Sequence, residues 1–116
     1  MDFRKWMEKQ IPHISPDMIA FNFNLYEEEQ DGKYSVELVG CREYDKDNED
    51  WACSPDYSSG ERNLFAFSAD EWEDALELCI QLVKDYLRVC PADDPFTRAA
   101  YITAGFVDGD LEVIRG

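Results

Sequence analysis

Basic charge is scarce in this chain. Against 26 Asp and Glu residues there are 11 Lys and Arg, which leaves a net charge of −15 over 116 residues. That exceeds the ~2–8 common for a small soluble domain. Such a surface repels nucleic acid and anionic membranes and attracts basic proteins; it also serves plain solubility, as on a halophile-like surface. Histidine is nearly absent, with His13 alone, between Pro12 and Pro16. No Ser-His-Asp set, G-x-S-x-G elbow or GxxxxGKS phosphate loop can be assembled from these residues. The cysteines Cys41, Cys53, Cys79 and Cys90 contain no CxxC pair, so a structural zinc site has little support. No apolar run approaches the ~18 residues of a membrane span, and the first residues carry no signal-peptide core. A cytoplasmic chain with reduced thiols is expected, with Cys79 and Cys90 serving as apolar packing.

What is present suits one compact domain, 1–116: 45% of the residues are hydrophobic and 14% aromatic. Residues 2–10 read as a short helix, with Phe3, Trp6 and Met7 on one face and Pro12 beyond its end. Ile19, Phe21, Phe23 and Leu25 alternate with Ala20, Asn22 and Asn24, the period of a half-buried strand. An Asp31-Gly32 turn joins it to a second alternation through Tyr34, Val36 and Leu38, giving a β-hairpin. "LFAF" at 64–67 reads as a strand. Ser68 and Glu71 have the spacing of a capping box, and an apolar stripe from Trp72 to Cys90 follows at helical period until Pro91. This predicts a long amphipathic helix over about 69–90, with Trp72 in the core. Strands are expected near 101–107 and 110–115, around an Asp108-Gly109-Asp110 turn, and the glycines of "GFVDGD" are read as serving a positive φ. The fold class is therefore α+β: a largely antiparallel sheet of about five strands with the long helix on one face.

Between the hairpin and the third strand runs "EYDKDNEDWACSPDYSSGERN", 43–63, where Glu61 and six other acids alternate with Tyr44, Trp51 and Tyr57. A calcium loop begun at Asp45 would have ligands at Asp47 and Glu49. It fails at Asp50, where the sharp turn needs Gly, and at Asp56, where a bidentate Glu belongs. No metal, cofactor or catalytic residue is assigned. Trp and Tyr are preferred anchors of protein interfaces, and complementary charge accelerates association. Asp45, Asp47, Glu49, Asp50 and Asp56, with Trp51 and Tyr57, are the candidate partner-binding residues. Trp51 either faces outward as an anchor or folds back and pins the loop.

The hairpin, the "EDWAC" segment at 49–53, the capped helix and the terminal "GFVDGDLE" at 105–112 resemble small acidic immunity proteins of bacterial polymorphic-toxin and contact-dependent inhibition systems. The resemblance implies a non-catalytic cytoplasmic protein that binds and neutralises one cognate basic toxin domain. It carries no binding residues over to this chain. Two rival readings use the same acids: a DNA-mimicking inhibitor of a nucleic-acid-binding protein, and a small metal-dependent enzyme.

Overall fold

A computed structural model describes residues 2–53, 55–60, 64–107 and 109–116. Helix α1 (Phe3–Gln10) opens the chain; Asp2 caps it by accepting from the Lys5 amide at 2.8 Å. A 3-10 turn at Ile11–His13 leads into the hairpin β1 (Ala20–Glu27) and β2 (Lys33–Cys41). Gly32 closes that hairpin at φ +77°, a backbone state that glycine adopts without strain. Then come a 3-10 helix at Glu49–Cys53, the short strands β3 (Tyr57–Ser58) and β4 (Phe65–Ser68), and helix α2 (Trp72–Val89). One turn of helix, α3 (Pro95–Arg98), precedes β5 (Tyr101–Phe106) and β6 (Glu112–Arg115). No helix among the described residues is long and apolar enough to cross a membrane.

Among the described residues, six strands form one sheet in the order β3-β2-β1-β5-β6, with β4 sharing the β2 edge with β3. All pairings are antiparallel except β1 with β5, which is parallel. The α2 crossover makes that pairing possible, because parallel neighbours need a long connection. The α+β class, the long helix and the short N-terminal helix thus stand as the sequence predicts, with six strands among the described residues where about five were expected.

Both helices lie on one face of the sheet. Phe21, Phe23 and Leu25 of β1 meet Val36 and Leu38 of β2, Ile102 and Ala104 of β5, and Phe3, Trp6 and Met7 of α1. Ala75, Cys79, Val83 and Tyr86 form the buried stripe of α2. Burial pushes the Cys79 thiol up to about 12, so it stays protonated and acts as an apolar side chain. Tyr86 donates to Asp94 Oδ2 at 2.7 Å, and Asp94 Oδ1 accepts from the Phe96 amide at 2.8 Å; this buried carboxylate ties α2 to α3.

Four local expectations are corrected. The capping box does not form. Ser68 Oγ accepts from Lys33 Nζ at 2.8 Å and the Ala69 amide donates to Gly32 at 3.0 Å, so residues 68–69 extend the β2 pairing and the helix starts at Trp72. The core ends before Trp72: its ring meets Phe106, the last residue of β5, edge-on at 6.1 Å and remains 55% exposed. β1 is not half-buried either, since Asn22 on its second face is 0% exposed. The predicted turn at Asp108 lies outside the described residues, as does Glu61. Neither Gly105 nor Gly109 has a positive φ. Gly105 is required for close approach instead, because a Cβ there would sit 2.5 Å from the Asp110 carbonyl oxygen.

Candidate binding surface

The second face of the sheet carries Asn22, Asn24 and Tyr26 of β1, Ser35, Glu37 and Cys41 of β2, and Tyr101 and Thr103 of β5. The acidic segment folds over one end of this face. As β2 ends, the chain leaves at Arg42 and returns at Asp56. Asp56 Oδ2 accepts from the Arg42 amide at 2.8 Å, Asp56 Oδ1 pairs with the Arg42 guanidinium at 3.1 Å, and the Asp56 amide donates to Gly40 at 2.9 Å. Arg42 Nε also donates to Asp17 Oδ2 at 2.6 Å, which anchors the neck to the segment before β1. Hydrogen bonds from Ser15 and Arg42 hold the Asp17 carboxyl below its ordinary range.

Inside the neck, short polar side chains cap successive turns, as Asp and Asn commonly do. Asp45 Oδ1 accepts from the Asp47 amide at 2.9 Å, and Asn48 Oδ1 from the Asp50 amide at 3.0 Å. They lead into the 3-10 helix that carries Trp51. The Trp51 ring lies edge-on to Tyr101 at 5.7 Å and to Tyr44 at 6.5 Å, while Tyr44 and Tyr101 stack at 4.8 Å. Cys41 Sγ donates to the Trp51 carbonyl at 3.4 Å, and Lys46 Nζ lies 5.7 Å from the Tyr101 ring centroid. Trp51 is half-buried: it pins the loop through one edge and leaves the rest at the surface.

The candidate residues accordingly separate. Asp45, Asp47, Glu49 and Asp50 are all exposed on the ridge. Asp45, Asp50 and Asp56, together with Glu43, Tyr44 and Trp51, line a concavity of about 800 Å³ on one side of it. Glu49 turns to the other side, where its Oε1 accepts from the Leu111 amide at 3.1 Å and ties the ridge to the segment before β6. Asp56 serves the neck. Tyr57 packs on the helical side of the sheet, and its hydroxyl donates to Gln10 Oε1 at 2.5 Å. Burial raises the pKa of that hydroxyl.

On the far side of the ridge is a second concavity of about 590 Å³, floored by Asn22, Asn24 and Glu37. Glu37 Oε1 accepts from Tyr26 at 2.8 Å and Asn24 at 3.3 Å, and Oε2 accepts from Ser58 at 2.6 Å. Thr103 donates to Asn22 Oδ1 at 2.8 Å, and Asn22 donates to Asn24 Oδ1 at 2.6 Å. Burial alone would raise the Glu37 pKa; the hydrogen bonds from Ser58, Tyr26 and Asn24 together outweigh it and hold the carboxyl below its ordinary value. Sequence reasoning passed over this cluster. The signal was present in the Asp-Gly hairpin, whose register sets Asn24 opposite Glu37.

Among the described residues, no group of three or more His, Cys, Asp and Glu side chains is placed to hold a metal ion. The ridge acids are each turned to a different partner or to solvent. No family model matches the chain, and no curated protein and no solved structure matches it significantly. The fold and surface define a single-domain α+β protein with an acidic, aromatic-centred ridge laid across one end of its sheet.

Proposed function

We propose that the protein is an immunity-type binding module that neutralises a basic toxin domain by covering its active surface with the ridge at 43–56. The observation that carries this reading is the placement of Trp51. It is partly exposed, fixed by two aromatic neighbours, and shares its concavity with the carboxylates of Glu43, Asp45, Asp50 and Asp56, while Asp47 and Glu49 are exposed on the same ridge. A pre-set aromatic anchor loses little conformational freedom on binding, and an acidic rim steers a cationic partner toward it. The net charge of −15 extends that steering over the whole molecule. Asp56 and Tyr57 support the ridge from its neck and from β3 rather than touching the partner.

Co-expression with a toxin encoded by a neighbouring gene tests the reading. Protection of the host cell is expected, and reversal of Asp45, Asp47, Glu49 and Asp50 to Lys is expected to abolish it while circular dichroism shows the chain still folded, at a lower melting temperature because the Asp45 and Glu49 hydrogen bonds are lost. Protection that survives the reversal would show the ridge is not the binding site. Retrieval of many unrelated DNA-binding proteins in place of one toxin would favour a DNA-mimicking inhibitor.

A further inference from the structure

The most exposed tryptophan assigned to any helix is Trp72, not a residue of the ridge. It forms one wall of a concavity of about 480 Å³. Leu76 of α2 and Phe106 of β5 line the apolar part, and Glu27 of β1, Asp110 and Glu112 of β6 supply carboxylates around it. Among the described residues, no Lys or Arg lines it. Glu71, Glu73 and Asp74 add exposed negative charge in the first turn of α2 and just before it.

We infer that the Trp72 concavity is a second docking point, which takes the side chain of an arginine presented by a basic protein partner. An apolar floor under a carboxylate rim fits a side chain whose stem is apolar and whose tip is a cation. The indole, 55% exposed, offers the ring quadrupole that guanidinium groups favour. A second copy of this chain is a poor occupant, because it would set Glu27, Asp110 and Glu112 against the same carboxylates. Two anchors on one molecule also allow both to be engaged by a single basic partner, which raises affinity without further contacts. This inference rests on the basic-partner reading above, but its anchor is separate from the ridge.

Hexa-arginine peptide and its uncharged counterpart hexa-citrulline serve as probes, in about 0.15 M salt so that diffuse attraction is screened. The three tryptophans give separate indole N–H resonances for Trp6, Trp51 and Trp72. Hexa-arginine is expected to move the Trp72 resonance, and hexa-citrulline is not. Trp72→Ala should weaken hexa-arginine binding by roughly two- to fivefold, the range of an exposed cation–π contact. The double variant Glu27→Gln, Glu112→Gln should weaken it while keeping the indole. A Trp72 resonance that stays still, or that follows both peptides equally, would overturn the inference. If Trp51 and the 43–50 amides move without Trp72, the ridge reading stands and this one falls. If Trp72 alone responds, the reverse holds, and if neither responds, both fall. A dimer in sedimentation that Trp72→Ala dissolves would assign the face to a second copy and likewise overturn it.

Discussion

Replacing Trp51 by Ala removes the ring that joins the ridge to the sheet. The ring makes two edge-on aromatic contacts, with Tyr101 at 5.7 Å and Tyr44 at 6.5 Å. Each such contact contributes about 0.5–1.5 kcal/mol beyond area burial. Trp is half-buried here, so roughly 100 Å² of apolar ring surface is withdrawn from water, worth about 2.5 kcal/mol at ~25 cal/mol per Å². Part of the loss is recovered, because Tyr44 stays stacked on Tyr101 and can settle into the space. Together these place the destabilisation at about 3–5 kcal/mol. Urea unfolding followed by circular dichroism measures it. Amide exchange should accelerate most over 43–53, and in α2 only as far as global stability falls, while the neck pairing of Arg42 with Asp56 persists because it does not involve the ring. A loss below about 0.5 kcal/mol, the usual surface range, with unaltered exchange in the loop would refute the pinning role.

Two further outcomes follow from the second face of the sheet. Glu37 has a depressed folded-state pKa, so its contribution to stability is present above its ordinary value of 4.5 and is lost as pH falls through the lower folded value. Glu37→Gln should therefore flatten the acid limb of a melting-temperature profile and cost about 1 kcal/mol at neutral pH, the worth of a typical hydrogen bond after discounting partial exposure. Gly105→Ala would set a Cβ 2.5 Å from the Asp110 carbonyl oxygen, so it should destabilise by about 1–3 kcal/mol and shift amide resonances chiefly over 109–112.

The amphipathic period after Trp72, the Phe-Asn alternation of β1 and the Asp-Gly turn are local patterns, and local patterns suffice to specify α2 and the β1–β2 hairpin. Net charge and the grouping of acids around Trp51 are properties of composition and order, so the acidic ridge was legible too. The pairing of β1 with β5 was not, because it joins residues such as Asn22 and Thr103 that lie 81 positions apart. That pairing buries the second face of β1, turns Asn22 from a solvent-facing residue into part of the Glu37 cluster, and gives Trp51 a ring in Tyr101 to lean on. The start of α2 was decided the same way: Ser68 has the chemistry of a cap, but the Lys33 ammonium that donates to it and the Gly32 carbonyl that accepts from Ala69 claim the segment first. Periodicity likewise places Trp72 on the core side of its helix, while only the end of β5 at Phe106 determines that the core stops short of it. Sequence by itself determined which faces are apolar and where charge collects; tertiary structure decided which of those faces finds a partner within the chain, because burial depends on what distant segments bring to it.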